Sequence, residues 1–132
     1  MFSKKANKPQ SRIDSLIGAG ATIEGNITFT GGLRIDGQVK GNVRSDEDAA
    51  TTLVVSEKAC IEGEIQVANM VINGTVLGSI HAAEFLELQP NARVTGDISY
   101  NTLEMHLGAV VQGRLVHQGS VTKPGLKLAT SN

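Results

Sequence analysis

Six times along this chain a glycine stands midway between two aliphatic residues, in the pattern apolar-x-Gly-x-apolar and at nearly one phase. Three copies share a longer frame, Leu53–Ile65, Leu86–Ile98 and Leu103–Leu115, each with an alanine two residues before the first aliphatic of the motif. A degenerate first copy, Ile17–Ile27, keeps the alanine and places the start of the repeat near Ser15. A second kind of segment, Leu33–Val43 and Met70–Ile80, alternates with the first and carries two glycines four residues apart. Gly37 to Gly74 spans 37 residues, Gly63 to Gly96 33 and Gly96 to Gly113 17, so one repeat takes about seventeen. A unit of that length cannot bury its own apolar face, and the repeats must stack into a solenoid of β rungs.

Within a rung, the alternate aliphatics Ile61 and Ile65, Val94 and Ile98, or Val111 and Leu115 point into the coil. The glycine between them marks a bend where a larger residue would collide with the adjacent layer. Glu62, Glu64, Thr95 and Asp97 then face solvent. Six rungs at about 4.8 Å predict a rod on the order of 30 Å long. Helices are disfavoured by the glycine density. A β-sandwich would not keep register between repeats. A hexapeptide coil shares the six-residue steps Ile17 to Ile23, Val55 to Ile61 and Leu88 to Val94, but Ile27, Ile65 and Ile98 follow four residues later and break it. Ser45–Thr52 reads as a loop bulging from one corner.

The 132 residues suit one all-β domain over 15–118, flanked by tails at 1–14 and 119–132 that read as disordered. Aromatics are only 3%, which fits narrow layers of Val, Ile and Leu. No apolar run is long enough to span a bilayer, and the N-terminus lacks the apolar stretch of a secretory signal, so a cytoplasmic location is expected. The formal net charge of −1 divides into +3 for residues 1–14, −6 for 15–118 and +2 for 119–132. An acidic coil poor in aromatics argues against nucleic acid as a partner.

The residues point to no catalysis, no cofactor and no metal. Cys60 aligns with Thr22, Arg93 and Val110 and reads as a structural position. His81, His106 and His117 fall at different phases and cannot all converge on one face. Gly18-Ala19-Gly20 and Gly31-Gly32 do not open a helix, as a phosphate loop requires. Asp46-Glu47-Asp48 lacks the alternation of a calcium loop.

The block Pro90-Asn91-Ala92-Arg93-Val94-Thr95-Gly96-Asp97-Ile98, with Tyr100, Leu103-Glu104 and Gly108-Ala109, resembles the bactofilins, bacterial cytoskeletal proteins. Met1-Phe2-Ser3-Lys4-Lys5 resembles their membrane-targeting N-terminus, so the likeness covers almost the whole chain. It implies a right-handed parallel β-helix, the handedness that the residue spacing also favours. It further implies nucleotide-independent, non-polar filaments under the inner membrane that position cell-wall or morphogenesis factors. One departure stands in the last rung: many relatives carry phenylalanine where this chain has Val111.

An uncapped coil leaves unpaired backbone and a slice of core at each end, and such edges recruit partners. The polymerisation residues expected on this ground are Ile17, Ile23 and Ile27 in the first rung and Leu103, Met105, Val111 and Leu115 in the last. Each set would dock on its counterpart in another copy, head to head and tail to tail. Met1, Phe2, Lys4, Lys5 and Lys8 are the expected membrane-binding residues: each lysine near an anionic leaflet contributes about 1 kcal/mol and burial of Phe2 roughly 1.5–3 kcal/mol. One arm is marginal, and a filament of arms binds by avidity. The alternatives in function are a hexapeptide-type acyltransferase, trimeric with a histidine between subunits, and a β-helical adaptor that does not polymerise.

Overall fold

A computed structural model describes residues 12–46 and 50–118. These residues form fifteen parallel strands and no helix, wound as a β-solenoid of six three-sided rungs. Rung 1 holds β1 (Ser15–Ile17), β2 (Thr22–Glu24) and β3 (Ile27–Phe29); rung 2 holds β4 (Gly32–Ile35), β5 (Gln38–Lys40) and β6 (Val43–Ser45). Rung 3 takes β7 (Thr52–Val55), β8 (Cys60–Glu62) and the start of β9 (Ile65–Ile72). Rung 4 continues through the rest of β9, β10 (Thr75–Leu77) and the start of β11 (Ile80–Leu88). Rung 5 completes β11 and adds β12 (Arg93–Thr95) and the start of β13 (Ile98–Met105). Rung 6 closes the coil with the end of β13, β14 (Val110–Gln112) and β15 (Leu115–His117). One flat face is the six-stranded sheet β2-β5-β8-β10-β12-β14. The other two faces share a nine-stranded sheet, because β9, β11 and β13 run round a corner without breaking, with a register shift between Ala82 and Phe85.

In-register stacking sorts the core into four columns. Ile23, Val39, Ile61, Val76, Val94 and Val111 line one face. Ile27, Val43, Ile65, Ile80, Ile98 and Leu115 line the second. The third face supplies two columns, Ile17 to Met105 and Leu33 to Leu103, through Ile35, Val55, Ile72, Leu88, Leu53, Met70 and Leu86. Members in rungs 2 to 5 are buried, while those in rungs 1 and 6 are only partly covered.

The motif glycines form the corner between the first two faces, as the sequence predicts. A Cβ at Gly41, Gly63, Gly78, Gly96 or Gly113 would fall on the carbonyl of the corner glycine one rung earlier, and Gly25 and the last four of these also hold a positive φ. Only glycine fits such a ladder. The residue after the glycine satisfies the neighbouring backbone: Asn26 Oδ1 accepts from the Asn42 N–H at 2.9 Å and Asn42 Oδ1 from the Glu64 N–H at 2.9 Å. The second corner is short at Gly37 and Gly74, where a Cβ would meet the carbonyls of the four-residue turns in the rung before. The rung alternation stops there: rungs 5 and 6 both carry the longer turn, at Gln89–Ala92 and His106–Ala109. The third corner widens between Ser45 and Thr52, where the sequence predicts a bulge; residues 47–49 lie outside the described residues. There Asn69, buried, donates its Nδ2 to the Thr51 carbonyl at 3.0 Å.

Candidate functional site

Each of the seven residues named for assembly ends one of the four core columns. Ile17, Ile23 and Ile27 lie in β1, β2 and β3, half-buried against the core. Leu103 and Val111 are likewise half-buried, whereas Met105 is 44% and Leu115 42% exposed. Their column partners one rung inward, Leu86, Leu88, Val94 and Ile98, are all buried. Leu107 at the turn, Val110 and Val116 add exposed aliphatic surface to the last rung, and Leu16 adds it to the first. Backbone pairing stops at the same places. Among the described residues β2 and β14 end one sheet, and β1, β3 and β15 each pair with a single strand. Among the described residues both ends thus combine an open hydrogen-bonding edge with uncovered aliphatic core, the pairing of features by which strands recruit further strands. The membrane-binding call on Met1, Phe2, Lys4, Lys5 and Lys8 lies outside the described residues.

The last rung is joined to the body by polar contacts as well. Arg114 pairs with Asp97 at 3.0 Å, and the Arg114 N–H also donates to Asp97 Oδ1 at 3.0 Å; these bonds hold the Asp97 carboxyl below the usual carboxylate range. The Tyr100 and His117 rings lie 5.6 Å apart between centroids, tilted by 41°. At the corner between β4 and β5, Ser56 donates to Asp36 at 2.6 Å and Arg34 donates to it at 2.8 Å, lowering the Asp36 pKa in that order of importance. Cys60 carries a thiol pushed up by burial and then by Glu62, the reverse of what a nucleophile needs.

Sequence reasoning treated the histidines as a set and missed a mixed cluster. His106 Nε2 lies 2.8 Å from Glu87 Oε2 and 3.2 Å from Glu104 Oε2, in the last two rungs. The signal was present in the register, since Glu87 and Glu104 occupy the same place in consecutive copies of the seventeen-residue frame.

Residues 15–116 match the family described as bactofilin, polymer-forming cytoskeletal. Bactofilin BacP of Myxococcus xanthus (strain DK1622) is 30% identical over 126 residues, covering 95% of this chain and 50% of that protein. Bactofilin BacO of the same organism is 32% identical over 102 residues, covering 77% of this chain and 78% of that protein. The chain therefore spans about half the length of the first relative. No solved structure matches the chain significantly. The match extends over all six rungs, from the first strand to the last, and the chain belongs to the bactofilins, a family of polymer-forming cytoskeletal proteins.

Proposed function

We propose that this chain is a filament-forming scaffold whose subunits join through like ends, first rung to first rung and last rung to last rung. The observation that carries this reading is the contrast along each core column, buried in rungs 2 to 5 and partly bare in rungs 1 and 6. Covering the exposed two-fifths of Met105 or Leu115 is worth about 1 kcal/mol each, and the open strand edges gain partners at the same time. A joint between identical surfaces is self-complementary and makes a filament without polarity. Assembly by this route calls on no nucleotide.

In this reading the filament lies on the cytoplasmic face of the inner membrane, held by the basic segment with Met1, Phe2, Lys4, Lys5 and Lys8. There it positions cell-wall or morphogenesis enzymes and performs no catalysis itself. The charge division supports the placement, since an acidic coil is repelled by an anionic leaflet and the +3 segment is drawn to it. Negative-stain electron microscopy of the purified chain tests the assembly claim. Long filaments are expected; compact trimers would favour the acyltransferase reading, and featureless monomers the adaptor.

A further inference from the structure

We propose that Glu87, Glu104 and His106 form a binding site for a divalent first-row transition cation, with Zn²⁺ as the probe, bridging rungs 5 and 6. The three side chains each offer one ligand atom, and these atoms all lie within 4.8 Å of one another. The parallel register stacks Glu87 directly on Glu104. Two carboxylates in that relation repel, and Glu87 is only 6% exposed, so its charge has little water to spread into. A divalent cation between them is held by both carboxylates at once. His106 comes from the turn that follows β13 and sets Nε2 2.8 and 3.2 Å from the two carboxylate oxygens.

The backbone holds this arrangement in place. The His106 N–H donates to the Leu88 carbonyl at 2.9 Å, and the His106 carbonyl accepts from the Ala109 N–H at 3.2 Å. Gln89 reaches Glu87 Oε2 at 3.4 Å, as an outer partner that orients a ligating carboxylate. Ligands about 2.0–2.2 Å from a tetrahedral ion lie roughly 3.4 Å apart, so from 2.8 and 3.2 Å the Glu87 oxygen moves about 0.6 Å from His106 Nε2 and the Glu104 oxygen about 0.2 Å. The imidazole and Glu104 side chains are 39% and 37% exposed, which gives the ion a path and leaves a fourth position for water. One imidazole and two carboxylates suit Zn²⁺ and its neighbours better than Mg²⁺ or Ca²⁺, which prefer all-oxygen shells. The ion takes the Nε2 lone pair, so the ring carries its hydrogen on Nδ1, and any proton on Nε2 leaves to solvent.

The test is isothermal titration of the full chain, dialysed against chelator, with ZnCl₂ and separately with MgCl₂. One saturable zinc per chain is expected, together with a thermal midpoint that rises with zinc. His106→Gln and Glu104→Gln should each weaken zinc binding at least about tenfold, and His81→Gln should leave it unchanged. The His106 ring resonances of the unaltered chain should shift and saturate with zinc, a readout that does not depend on any variant folding. Absence of saturable zinc uptake, equal uptake of magnesium, undiminished affinity in both site variants, or His106 resonances that do not move would each overturn the site.

Discussion

The corner ladder makes a graded prediction from three glycine-to-alanine substitutions. At Gly20 a Cβ would meet nothing within 4 Å and the φ is not positive, so Gly20→Ala should be neutral or stabilise by up to about 1 kcal/mol. At Gly25 the space is equally open but φ is +131°, and Gly25→Ala should cost about 1–2 kcal/mol from backbone strain alone. At Gly96 φ is +148° and the Cβ would also fall on the Gly78 carbonyl, 2.6 Å from its carbon. Relief requires rungs 4 and 5 to separate where Gly78 N–H bonds the Thr95 carbonyl at 2.9 Å and Ile80 N–H bonds the Asp97 carbonyl at 3.0 Å. Weakening those two bonds adds roughly 2 kcal/mol, so Gly96→Ala should lose about 3–4 kcal/mol, or on the order of 12–16 °C in thermal midpoint. Thermal unfolding followed by circular dichroism at low protein concentration reads all three. If Gly96→Ala loses no more than Gly25→Ala, the close approach of rungs is not what demands glycine at this corner.

Three further outcomes follow from the same structure. Asp36 has a folded pKa below its unfolded value of about 3.9, so its contribution is fully present above that value and is lost as the pH falls through the folded one. Thermal midpoints measured between pH 5 and pH 3 should therefore fall less in Asp36→Asn than in the unaltered chain, and an equal fall would contradict the Ser56 and Arg34 bonds. Cys60 should alkylate with iodoacetamide at pH 7.5 more slowly than a free cysteine peptide, because burial and Glu62 disfavour its thiolate; a rate equal to the peptide's would show the thiol unperturbed. Deleting residues 2–8 should abolish co-sedimentation with anionic liposomes, and binding that survives the deletion rules out the N-terminal anchor.

The rung corners were legible because their requirement is chemical and local: no residue with a Cβ fits beneath the carbonyl of the preceding rung, so Gly41, Gly63, Gly78, Gly96 and Gly113 write the period into the sequence. The column ends were legible for the same reason, since a fixed period assigns Ile23 and Val111 to opposite ends of one stack. The third corner was not. There β9, β11 and β13 turn through Ala68, through Ala83-Glu84 and through Asn101 with no glycine or proline, and the bend is carried by a register shift that local composition does not encode. Glu87 was hard to read for a different reason. Its position alternates as a solvent-facing one, between Leu86 and Leu88, and only the stacked Glu104 and the turn bearing His106 reveal that it is covered.

Sedimentation velocity of Val111→Arg tests the end-to-end joint most directly. A guanidinium at the bottom of the last aliphatic layer should block the proposed joint and leave the first-rung joint free, so the variant should run as a dimer where the unaltered chain is expected to run as filaments. Adding Ile23→Arg should then reduce it to monomer. Filaments of undiminished length in Val111→Arg would place the joint elsewhere on the coil.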